Sequence, residues 1–409
     1  MKKQLFLLCF LVCIGAIHFV NAQTEFVEIT GVVLDEESKK PIQACNVFIR
    51  NRDIGTVANS NGEFSIKIPS DLMDRNLVFS NIGYESFESS ILSLQEKDNE
   101  IRLKPTIIIM EELVVREANN ILKTALARIP ENYPINPELL TTFYREVIKK
   151  NNGYVDISQG VLEVFKLPIQ KQGRDQIKIN KGFRSKDYKA QDTLVFKLMG
   201  GPYTMLLLDI VKNPGHLLAR DILEYYDYEL SDILTLDGKR HFEISFKPKD
   251  KLLLYTGKIY IEEKTLAISE IKFGYADDVV KEAGKTLIKD KPRLAKLTPL
   301  QVSYEVKYRE FKGRWYLYYA KNELKIKCNW RKKLFNSTFH SVSEMVITDR
   351  YLMGVQPFEK NEIAKSQLVF SEEAAKYYDG SFWENYTIIK PEDDIRNALE
   401  KIKSKKEKQ

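Results

Sequence analysis

Catalysis and metal binding need convergent side chains, and histidines suit both. The 409-residue chain has four, and His216, His241 and His340 lie outside its apolar leader. A zinc peptidase of the His-x-x-Glu type needs a glutamate three positions after one of them. His216 precedes Leu217-Leu218-Ala219, His241 precedes Phe242-Glu243-Ile244 and His340 precedes Ser341-Val342-Ser343, so none qualifies. No His-Glu-x-x-His run exists either. Gly284-Lys285-Thr286 is similar to the end of a phosphate loop, yet the glycine required five residues earlier is Val279. There is no Gly-x-Ser-x-Gly elbow. Asn59-Ser60-Asn61-Gly62 lacks the alternating carboxylates of a calcium loop and reads as a turn. Cys45 and Cys328 lie in what read as different domains and are expected to be two buried, inert thiols. The motif search therefore predicts no catalytic residue, no metal site and no cofactor. An enzyme would have to pair distant Asp and Glu residues, as a hydrolase on envelope polymers could.

The remaining chemistry is aromatic. Tyr304, Trp315, Tyr316, Tyr318 and Tyr319 fall on adjacent predicted strands. Such clusters commonly pack a core. The sharper reading puts Tyr304, Trp315 and Tyr319 along an apolar groove where a lipid or peptide lies.

These aromatics are positioned by β elements in an exported chain. Lys2-Lys3, the 16-residue apolar run Leu5–Val20 and the small residues of Val20-Asn21-Ala22 form a secretory leader, with cleavage expected between Ala22 and Gln23. The run is shorter than the roughly 20 residues of a membrane span, and no second run reaches that length. No small-residue pair precedes Cys9 or Cys13, which argues against lipid attachment. Losing Lys2 and Lys3 lowers the formal charge from +6 to +4, too mild a surplus for nucleic acid.

From Ile29 to Leu103 short β-branched and aromatic runs alternate with Gly, Asn, Asp and Pro, the pattern of a small antiparallel sandwich. Phe64, Ile66 and Ile68 share one face, and Asn61-Gly62 is expected to close a tight hairpin. Gly31, Asp35, Pro41, Ala44, Val47, Gly55-Thr56, Asn59, Gly62, Phe64 and Gly83-Tyr84 resemble the carboxypeptidase regulatory-like domain. That resemblance implies a seven-stranded prealbumin-like sandwich that folds and docks and carries no reaction of its own. The acidic-then-Val-Val segment within Thr106–Val115 is similar to the one that follows this domain in TonB-dependent receptors. The 294 residues after it are too few for a barrel of that kind.

Ala118, Ile121, Leu122, Ala125, Leu126 and Ile129 give a helical apolar stripe over 116–129, ended by Pro130. Tyr203–Val211 is apolar nearly all round, so it should be buried. A β-meander follows, with period-two alternation around Phe242, Tyr255 and Val302. Asp237-Gly238, Glu263-Lys264 and Lys312-Gly313 supply its turns. The parity switch between Ile268 and Ile271 predicts a bulge. Aromatics on both parities of Trp315–Tyr319 predict a strand covered on both sides. This layout resembles the half-barrel of bacterial lipoprotein carriers, and the motifs Asn132-Tyr133-Pro134, Phe143-Tyr144-Arg145-Glu146 and Tyr377–Tyr386 resemble exported Bacteroidetes proteins that carry the regulatory-like domain.

The expected fold is mainly β: a prealbumin-like sandwich plus a larger curved antiparallel meander with a few helices. The boundaries expected are 1–22 for the leader, 27–104 for the sandwich and 105–138 for a linker with a helix. The curved β domain is expected over 139–358, and a C-terminal segment with a helix and a basic tail over 359–409. The expected function is a non-enzymatic binding protein of the cell envelope, in the periplasm or on a face of the outer membrane. It would hold an apolar ligand, a lipid or peptide, or an outer-membrane protein partner. The alternatives are the hydrolase and a structural accessory of an outer-membrane transporter.

Overall fold

The computed structural model describes residues 25–106, 115–186, 197–198, 201–250, 254–290, 295–331, 336–378 and 386–397. The leader with its Ala22/Gln23 junction lies outside them, as do Asp192-Thr193-Leu194, a short match to a glycosylation signal, and the Phe382-Trp383 pair expected to staple the tail.

The protein is mainly β. Its first part has seven strands: β1 (Phe26–Asp35), β2 (Asn46–Ile49), β3 (Gly55–Val57), β4 (Glu63–Pro69), β5 (Asn76–Ser80), β6 (Phe87–Ser90) and β7 (Asn99–Leu103). They form two sheets, β4-β1-β7 and β3-β2-β5-β6, packed around Val33, Val47, Phe64, Ile66, Ile68, Phe79 and Leu103. Asn61-Gly62 turns the chain between sheets, because β3 and β4 belong to different ones; the expected hairpin is instead a corner. The Asn59 side-chain oxygen accepts from the N–H groups of Asn61 and Glu63, and Gly62 takes φ +73°. A Cβ there would meet the Val33 carbonyl at 2.4 Å, so only glycine fits.

Helix α1 (Val115–Ala127) buries Ala118, Leu122, Ala125 and Leu126, the stripe read from the sequence. Pro130 does not simply stop the helix: it opens a second turn, α2 (Ile129–Asn132), after a break at Arg128. Ten long strands then form one antiparallel sheet. They are β8 (Glu138–Lys150), β9 (Gly153–Lys166), β10 (Gln176–Lys186), β12 (Tyr226–Leu236), β13 (Lys239–Pro248), β14 (Tyr255–Glu262), β15 (Ile268–Tyr275), β17 (Ala295–Phe311), β18 (Arg314–Trp330) and β19 (Ser337–Tyr351). Their order is β10-β9-β8-β19-β18-β17-β15-β14-β13-β12, with a small pair β11 (Lys197–Leu198) and β16 (Ile288–Asp290) outside it. Asp237-Gly238 and Lys312-Gly313 turn with positive φ at both residues, as their sequences require. Ser269 is the extra residue of a bulge opposite Tyr260 and Ile261, where the parity switch placed one. The polar, basic stretch 171–191 holds the 11-residue strand β10.

Alternation gives this sheet two unlike faces. One continuous cross-strand row reads Leu230, Ile244, Ile259, Ile271, Val306, Ala320, Met345, Tyr144, Gly160 and Gly182. The neighbouring row, one residue along each strand, reads Ser245, Lys258, Lys272, Glu305, Lys321, Glu344, Arg145 and Gln159. The apolar row meets α1 and the short helix α3 (Gly201–Leu207) in one large core. Its side chains shrink to glycine where Phe370 and Ala374 cross close above Gly160 and Gly182. Within α3, Tyr203, Met205 and Leu206 are buried while Leu207 is exposed, so the segment lies on the core without being enclosed by it.

Candidate functional site

The charged face carries the sandwich. Ala44 and Val57 of the sandwich pack with Phe143, Tyr318, Tyr319 and Val346 of the sheet and with Ile389 from the C-terminal segment. That segment runs as a strap along the junction. Thr56 donates to the Ile388 carbonyl, Asn59 to the Lys390 carbonyl, and the Lys67 N–H to the Thr387 hydroxyl. Beside this small apolar patch the contact is ionic. Asp53 of the sandwich is gripped by Arg309 and Arg350, and Arg350 also binds Glu138. Lys166 continues the chain to Asp209 at 2.9 Å, and Asp209 accepts from the Tyr308 hydroxyl at 2.8 Å. Three carboxylates, Asp53, Glu138 and Asp209, thus balance three cations, Arg309, Arg350 and Lys166, all buried. Burial opposes charge on Asp53, but the two guanidiniums outweigh it and hold its carboxyl below the ordinary range. Lys307, equally buried, reaches from β17 to the Ala44 carbonyl at 3.0 Å and to Asn81.

Two hollows flank this junction. The larger, about 790 Å³, is lined on one side by Arg52, Asp53, Ile54 and Asp71 of the sandwich. Phe311, Lys312, Asp349 and the Arg350–Met353 stretch of the sheet line the other side. Its rim is apolar and wet: Met353 is 91% exposed and Tyr351 51%. Tyr351 donates to Asp349, whose carboxyl is pushed up by burial. The smaller hollow, about 290 Å³, draws residues from three places: Ser60 from the sandwich, Glu392 and Ile395 from the strap, and Arg145, Lys321, Glu323 and His340 from the sheet. His340 bonds Glu323 at 2.8 Å and holds its carboxyl down at about 2.

The aromatics singled out in the sequence are divided between the faces. Tyr304 stacks on Phe273 at 4.9 Å and joins the apolar core, as does Trp315, which meets the edge of His241. Tyr319 lies on the other face and donates to Glu344. Lys307 pairs with Tyr319 and Tyr308 with Leu317, so Tyr318 is a bulge residue that shifts parity between Trp315 and Tyr319. The three residues do not share a groove. His241 is buried with its imidazole held down to about 4 by desolvation, bonded through Nδ1 to the Lys239 carbonyl. Cys45 and Cys328 are buried in separate cores, and burial pushes the Cys45 thiol up to about 12. Among the described residues no group of three or more His, Cys, Asp or Glu could hold a metal, and no helix is long and apolar enough to cross a membrane.

The geometry defines a class: a β-sandwich clamped by ions and a strap onto one face of a large antiparallel sheet. Residues 29–115 match the model of the CarboxypepD_reg-like domain, which carries the resemblance past the last sandwich strand. No curated protein matches the chain. Among solved structures, an outer membrane lipoprotein-sorting protein domain from Vibrio parahaemolyticus is 10% identical with a TM-score of 0.24, over 64% of this chain and 100% of that one. A DUF1329 family protein from Desulfovibrio piger is 11% identical with a TM-score of 0.24, over 61% and 99%.

Proposed function

We propose that this is an exported, non-enzymatic binding protein of the cell envelope whose larger hollow receives an extended segment of an envelope protein partner. One observation carries the reading: exposed Met353 and Tyr351 rim a hollow of about 790 Å³ that is also lined by the buried Asp53–Arg350 ion pair. Exposed aromatic and methionine side chains around a preorganised pocket supply contact area at low entropic cost. An apolar carrier role fits less well, since α1, α3 and Phe370 already pack the sheet's apolar face among the described residues. The hydrolase alternative needs a carboxylate pair with one free base. In the larger hollow Asp349 has a raised pKa, but both oxygens of Asp53 are taken by arginines.

Native mass spectrometry of protein purified from its own envelope tests this. The expected result is a stoichiometric protein complex that Tyr351→Asp with Met353→Asp abolishes and Leu92→Asp, at an exposed apolar site on the sandwich, leaves intact. A retained lipid with no protein bound would overturn the reading.

A further inference from the structure

The smaller hollow carries a separate assignment, because the two hollows share no lining residue. Its acceptors are already used. Glu344 accepts from Tyr319 at 2.8 Å and Arg145 at 2.7 Å, one on each oxygen. Glu392 accepts from Ser60 at 3.1 Å and from Arg145 at 3.0 Å, again on different oxygens. Glu323 has His340 on one oxygen and Lys321 at 3.5 Å on the other.

The donors, by contrast, are in surplus. Arg145 is 2% exposed, yet its Nε has no hydrogen-bond partner among the described residues. A buried, unpaired guanidinium N–H costs free energy unless something accepts from it. Among the described residues Lys321 has three N–H donors and one ion-pair partner within 4 Å, Glu323, with Glu305 and Glu344 beside it in the cross-strand row, while the Lys149 ammonium lies over the Tyr154 ring at 4.4 Å. A hollow of about 290 Å³ lined this way suits a compact group rich in acceptors.

We propose that this hollow binds a small oxyanion, a carboxylate or a phosphate, with Arg145 as the buried anchor and Lys149 and Lys321 closing on its charge. Such a group could come from a free metabolite or from the end of an envelope peptide. The guanidinium's fork is fixed by Glu344 and Glu392, so the site is preorganised and the strap residue Glu392 belongs to its wall.

Isothermal titration calorimetry of the intact protein tests the assignment, with inorganic phosphate, citrate, acetyl-Ala-Ala and its C-terminal amide as probes. Saturable binding of at least one oxyanion is expected, with none for the amide. Lys149→Gln and Lys321→Gln should each weaken it about tenfold while leaving the melting temperature in place. Phosphate binding without the dipeptide assigns a phosphate ligand, and the reverse assigns a peptide terminus. Arg145→Lys, which keeps the charge and loses the fork, should abolish binding if it folds; the two lysine variants decide the matter if it does not. Absence of saturable binding by every oxyanion, or binding indifferent to both lysine changes, would overturn the proposal.

Discussion

The two faces of the large sheet are one residue apart along every strand, and they solve the burial problem in opposite ways. On the apolar face the row from Leu230 to Met345 is hydrocarbon, sealed by α1 and α3. The face turned to the sandwich buries Arg145, Lys307 and Glu344 in cross-paired rows, and at one end Arg309 and Arg350 bind Asp53. Their effect on carboxyl groups shows the contrast. Burial alone would raise Glu344, but Arg145 holds it below the ordinary range, so it stays ionised. Glu146, the next residue after Arg145, turns the other way, accepts from Tyr144 at 2.5 Å and is pushed up to about 7 by desolvation. Hydrocarbon tolerates many partners, whereas paired ions fit one geometry. The charged face is therefore where position is specified, and the hollows lie there.

The sharpest way to break this comparison is to strand the ions. Asp53→Ala leaves Arg309 and Arg350 without their shared counter-charge and should cost about 3–5 kcal/mol in denaturant unfolding. A loss below about 1 kcal/mol would mean that the junction is wetter than its burial implies. Next in size is Glu146, a buried carboxyl on the apolar side. The folded state keeps a proton on Glu146 between pH 4.5 and about 7, where the unfolded chain releases it, so stability should fall as pH rises through that window. Glu146→Gln keeps an acceptor for Tyr144 and should be more stable than wild type above pH 7 by roughly 1–3 kcal/mol, and equal to it near pH 4. Identical pH profiles for the two proteins would refute the assignment. Within the hydrocarbon row, Ile271→Val should cost only about 0.5–1.5 kcal/mol, with the unfolding slope against denaturant unchanged.

Much of this contrast was legible in the sequence, and the reason lies in local pattern. Strand alternation, the Asp237-Gly238 and Lys312-Gly313 turns, the bulge at Ser269 and the α1 stripe depend on residues a few positions apart. The site depended on distant ones. Asp53 meets Arg350, and Arg145 meets Glu392, across 297 and 247 positions. A lone Asp or Arg in a half-polar strand reads as solvent-facing. The one local clue was the run of charges at alternate positions in Glu305, Lys307 and Arg309, which looks the same whether water or another sheet covers it. For the aromatics the obstacle was the bulge at Tyr318, which moved Tyr319 away from Trp315.

The smallest expected effect tests whether burial, and not charge pairing as such, makes the junction strong. Arg50 of the sandwich bridges Glu88 at 2.6 Å and Asp237 of the β12–β13 turn at 3.3 Å, so it too joins the sandwich to the sheet. Arg50 and Asp237 are both about a third exposed, 32% and 37% by side chain, so water screens the pair and competes for it. Asp237→Asn should therefore change stability by less than about 1 kcal/mol, and the difference should shrink further in high salt. Asp53→Ala, shielded from solvent, should keep most of its cost under the same salt. Both substitutions remove one carboxylate from an arginine that ties the sandwich down. If their costs proved equal, desolvation would not be what distinguishes the charged face.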